Sequence, residues 1–68
     1  MTSAPVRPRT PADVLAEVAA LSYDTAEETA QVMGMTPGQI ARALHAAGRP
    51  DIAGPFRRAA RRARRAAP

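Results

Sequence analysis

The chain has 68 residues, enough for one small domain and not two, and a core of that size supplies only a few kcal/mol of net stability. Without cysteine, and with His45 as its single histidine, it can build neither disulfides nor thiolate zinc sites, and no carboxylate at helical spacing joins His45 as a metal ligand. The net charge of +4 is uneven: residues 1–51 carry four arginines against six acids, or −2, while residues 52–68 carry six arginines and no acid, or +6.

In chain order, residues 1–9 are broken by Pro5 and Pro8 and read as a flexible leader. Thr10-Pro11-Ala12-Asp13 opens a first helix, with Thr as N-cap, Pro at the first helical position and an acid in the first turn. Val14, Leu15, Val18 and Leu21 share one face, so this helix is expected over residues 11–21. Asp24 with Glu27, or Thr25 with Glu28, forms a capping box for a second helix near 25–33. Its inward face is Ala26, Ala30 and Met33. Val32 falls off that face and is expected to meet another element or a partner chain. Gly34 stops the helix as a left-handed residue does.

Thr36-Pro37-Gly38-Gln39 is a second full start signal, and Ile40, Ala43, Leu44 and Ala47 make the stripe of a third helix over 37–47. Gly48 and Pro50 end it. After Gly54-Pro55, Phe56 leads into an Ala/Arg run with Ala59, Ala60, Ala63, Ala66 and Ala67 on one weak face. That run has good helix propensity, although the repulsion of its arginines is expected to limit its order without an anion. No segment alternates with period two, so no hairpin is expected, and there is no internal repeat. The expected fold is all-α: a helix-turn-helix domain of three to four helices over residues 10–56, with a basic C-terminal helix or arm over 57–68.

The charge asymmetry points to a polyanionic partner, nucleic acid first. Every basic residue is arginine. A GC-rich codon preference accounts for the missing lysines, but not for the clustering of the arginines. No apolar run approaches the roughly 18 residues of a membrane span, and the leader has no stretch resembling a signal peptide. The expectation is a soluble, cytoplasmic, nucleoid-associated protein with no membrane partner, no cofactor and no small-molecule ligand.

Two capped helices separated by Gly34-Met35-Thr36 are what a helix-turn-helix needs. Ala30 sits where the helices cross closely, and Met35 and Ile40 plug the angle between them. Residues 26–45 resemble the helix-turn-helix of lac-repressor-type regulators. Ala30, Gly34, Met35 and Thr36 match the first part of that pattern, and Ile40-Ala41-Arg42-Ala43-Leu44-His45 is similar to its Val-Ser-Arg-Val/Ala-Leu-Asn ending. The likeness covers about 20 of the 68 residues, and it implies sequence-specific binding to double-stranded DNA and transcriptional regulation. The chain departs from that family in having a helix before the motif, and in lacking an effector-binding domain and a hinge helix. The stretch 47–52 is similar to that of small helix-turn-helix proteins from GC-rich bacteria and their phages.

Opposite the apolar stripe of the third helix lie Gln39, Arg42 and His45. These are the candidates for base contact, since Gln pairs bidentately with adenine and Arg with guanine. Thr36, Arg49, Arg57, Arg58, Arg61, Arg62, Arg64 and Arg65 are the candidates for phosphate. A single helix-turn-helix gains affinity from two half-sites, so a homodimer is expected. No paired carboxylates, nucleophile–base couple or phosphate-cradling glycine loop is present, so the chain is not expected to be an enzyme. The alternatives are an RNA- or ribosome-associated protein using the basic tail, and a protein-interaction adaptor using Val32 and the first helix.

Overall fold

A computed structural model describes residues 9–21 and 23–66. Residues 1–8, which include Arg7 and nearly all of the expected leader, lie outside them, as do Ser22, Ala67 and Pro68. The described residues form four α-helices and no strand: α1 (Pro11–Ala20), α2 (Ala26–Met33), α3 (Pro37–Ala46) and α4 (Gly54–Ala66), with one 3-10 turn at Pro50–Ile52 before α4. None of the helices is long and apolar enough to cross a membrane.

Each of the first three helices starts on a threonine whose hydroxyl satisfies an otherwise orphaned N–H. Thr10 Oγ1 accepts from Asp13 N, Thr25 Oγ1 from Glu28 N, and Thr36 Oγ1 from Gln39 N, each at 3.1 Å. The box is reciprocal at Thr10, where Asp13 Oδ2 accepts from the threonine N–H, and at Thr36, where Gln39 Oε1 does so. For α2 the one-sided Thr25 cap is the one formed. Such caps each contribute about 1 kcal/mol.

Gly34 and Gly48 close α2 and α3 in the left-handed region, with φ of 67° and 81°. The chain then turns back on itself: Met35 N donates to Ala30 O and Arg49 N to Leu44 O, the six-to-one bond of a Schellman closure. Nothing lies within 4 Å of where a Cβ would sit on either glycine. Gly34→Ala and Gly48→Ala are therefore expected to cost about 1–2 kcal/mol each through backbone strain alone, read as a lower urea midpoint with an unchanged slope.

The core is organised around α3, which packs against α1 on one side and α4 on the other. Ile40 and Leu44 have no exposed surface, and Val14, Ala30, Met33, Ala53 and Phe56 close around them. Leu15, Val18, Leu21, Met35 and Ala43 are partly buried at its edge. Within α2 and α3, two buried positions lie off the expected stripes. Ala41 is buried on a side of α3 that the expected stripe does not include. Thr29 is buried in α2, with its hydroxyl donating to Thr25 O at 3.2 Å. Val32 remains 54% exposed, so none of the described elements covers it fully.

The arginine-rich run is docked helix. Phe56 and Ala59 of α4 are buried and Ala60 is partly so, which seats the first half of α4 on α3 and α2. Because α4 begins at Gly54, the division expected at residue 56 falls inside a single helix.

Candidate nucleic-acid interface

With Phe56, Ala59 and Ala60 turned inward, the 3.6-residue period of α4 forces its six arginines onto the remaining arc. Arg57 and Arg64 flank α3, Arg61 reaches the same groove from the outer edge of the arc, and Arg62 lies toward α2. All six are exposed. This crowding has a local cost. Arg57/Arg61, Arg58/Arg62 and Arg61/Arg65 are like charges four residues apart, each pair disfavouring the helix by about 0.2–0.5 kcal/mol. Arg64 and Arg65 recover part of it by standing in the last turn, where the helix dipole favours cations.

Small residues let α4 lie close along α3. A Cβ built on Gly38 would stand 3.9 Å from the Ala60 Cβ, and Ala41 is buried beside them. Between the helices runs a groove of about 500 Å³ with Gly38, Ala41 and Ala60 in its lining. Arg42 and His45 line it from α3, and Arg57, Arg61 and Arg64 from α4. Among the described residues no acid lines it. A cleft of one sign with apolar walls concentrates the field and raises the local concentration of counter-ions, here anions.

Acids neutralise only part of the basic set. Arg62 donates from Nη2 to Glu27 Oε2 at 2.7 Å and from Nε to the same oxygen at 2.9 Å, joining α4 to α2. This hydrogen bond, more than simple charge attraction, holds the Glu27 carboxyl below its ordinary range. The tie is thus complete at neutral pH and is lost as pH falls through the lowered value. Arg49 forms a two-point pair with Asp51 at 3.0 and 3.1 Å, which lowers the Asp51 carboxyl in the same way. Arg9 pairs with Glu17 at 3.0 Å, far from α4 in sequence. Among the described residues no acid pairs with Arg42, Arg57, Arg58, Arg61, Arg64 or Arg65.

The expected contact residues therefore differ in what they have free. Arg42 and His45 are exposed on α3 and share the groove with α4. Gln39 is exposed, but its Oε1 accepts the Thr36 N–H at 2.9 Å. Two-point pairing with adenine would require that oxygen to leave its cap. Thr36 accepts through Oγ1 and keeps its hydroxyl proton to donate. Arg49 would have to exchange Asp51 for a phosphate, and Arg62 would have to release Glu27. Were duplex DNA to bind this face, Glu27→Gln would tighten that binding and steepen its log–log salt dependence by about 0.9, one additional phosphate contact. A binding titration against salt, run beside the parent protein, reads this directly.

Among the described residues no group of three His, Asp or Glu side chains could hold a metal ion. What the arrangement can do is bind a polyanion. No protein-family model, curated protein or solved structure matches this chain, so the chemistry of the groove rests on its own residues.

Proposed function

We infer that the protein binds double-stranded DNA through the basic face of α3 and α4, and that it acts as a non-catalytic transcriptional regulator within the nucleoid. The observation that carries this reading is the gathering of Arg42, Arg57, Arg61 and Arg64, none with an acidic partner among the described residues, around one groove formed where two helices from different parts of the chain lie side by side. A solvated charge run would not need Arg42 of α3 to join it. Nor would it require a docked helix to hold like charges together against their repulsion.

A duplex is favoured over single strands because stacking platforms are lacking. Phe56 is buried, which leaves Tyr23 as the exposed aromatic of the chain, whereas single-strand binders stack successive bases on several such rings. The α2–turn–α3 segment is read as the helix-turn-helix that sets the register of the protein on DNA. Thr36 and the α3 N-terminus contribute phosphate contacts at one end of the groove.

The test is a titration of the full chain against a duplex, a hairpin RNA and a single strand of matched length at several salt concentrations. The duplex is expected to bind most tightly, with a log–log salt slope that steepens by about 0.9 for each free arginine that meets a phosphate. Equal affinity for all three, or preference for the RNA or the single strand, would contradict the reading.

A further inference from the structure

We propose that α4, rather than α3, is the helix that enters the major groove, with Arg61 at the middle of its outward ridge reading base edges. This rests on the duplex-DNA reading above and says which element of that face does the reading.

The major groove is about 12 Å wide and admits one helix, and a helix with its side chains is about 10–12 Å across. Packed helices lie about 8–10 Å apart, so the pair α3–α4 cannot enter side by side. One must lead. α3 is the central helix of the fold, between α1 and α4, with Ile40 and Leu44 wholly buried and Ala41 buried beneath α4. α4 is an outer element whose packing is confined to the side of Phe56, Ala59 and Ala60.

The free arcs differ in chemistry as well as in position. At about 100° per residue, the exposed residues Gln39, Arg42, His45 and Ala46 leave α3 an arc of roughly 120° with one guanidinium. The six arginines of α4 fill roughly 160° without interruption. Arg58, Arg61 and Arg65, spaced three and four residues apart, form the ridge opposite the buried face. None of the three has an acidic partner among the described residues. Arg57 and Arg64 stand on the flank beside α3 and share the groove with Arg42. When the ridge faces a groove floor, that flank faces the neighbouring phosphate strand. The ridge arginines then have the forked geometry that pairs with guanine O6 and N7, and the flanking ones have the phosphates.

Arginine-to-lysine exchange separates the two roles, because it keeps the charge and loses the planar fork. The experiment selects bound sequences from a random duplex library with the full chain, then repeats the selection with Arg61→Lys, Arg58→Lys/Arg61→Lys/Arg65→Lys and Arg42→Lys. Circular dichroism checks that each variant keeps its helicity. The Arg61→Lys variant is expected to lose about 5- to 150-fold of the discrimination at one base pair, and the triple variant that at more than one. Both should bind unrelated duplex with the parent salt slope, while Arg42→Lys keeps the preferred sequence. Loss of preference in Arg42→Lys with the ridge variants unchanged would place reading on α3 and overturn the proposal. So would duplex binding with no preferred sequence, or preference unaltered in all the variants. A parent protein that fails to bind duplex would overturn this proposal together with the function it rests on.

Discussion

Phe56→Ala is expected to unfold most of the protein at room temperature. Phe56 is the only phenylalanine in the chain. It lies 6% exposed in the cluster with Ile40, Leu44 and Met33, and it is the large side chain that anchors α4. Truncating a buried phenylalanine costs about 3–5 kcal/mol, which equals or exceeds the few kcal/mol available to a domain of this length. Neighbouring side chains offer little compensation, since α4 otherwise buries only alanines. A urea titration followed by circular dichroism measures the loss. A fall of less than about 1 kcal/mol, well below the usual range for such a change, would mean that α4 is not seated in the core. The same reasoning rules out deletion of residues 56–68 as a test of the basic tail, because the deletion removes core along with charge.

The second large effect is expected from charge removal that spares the core. Arg57→Gln, Arg61→Gln and Arg64→Gln change three exposed side chains that line the groove and have no acidic partners. The combined variant should fold at least as well as the parent, because Arg57/Arg61 repulsion is relieved. Its DNA affinity should fall sharply at low salt, and the log–log slope should become shallower by about 1.8, or 0.9 for each of the phosphate-facing pair Arg57 and Arg64. A variant that loses affinity while keeping the parent slope would show that these arginines do not meet phosphates.

The helices were legible in the sequence because their signals are local. Thr10, Thr25 and Thr36 cap within three residues, and Gly34 and Gly48 act through their own φ angles. Ile40, Leu44 and Val14 announce burial by size and spacing. The side on which α4 would dock was not legible. That choice rests on Gly38, Ala41 and Ala60, whose small side chains carry little hydrophobic signal and matter because they allow close approach. The partition of the arginines was hidden for a related reason. Arg62 and Glu27 are 35 positions apart and meet only after α4 folds back on α2. The Arg49–Asp51 pair lay two residues apart in plain view, and it takes Arg49 out of the free basic set. Gln39 carried two signals at once, capping and base recognition, and it is the capping bond that the fold forms.

The central claim is that DNA meets the face shared by α3 and α4. A backbone amide NMR titration with a short duplex at low salt tests it most directly. The signals of Arg42, His45, Arg57, Arg61 and Arg64 are expected to shift together with a single saturation curve, while those of Val14 to Ala20 on α1 remain in place. Shifts concentrated on α1 and around Val32, or no shifts in α4 at saturating duplex, would contradict it.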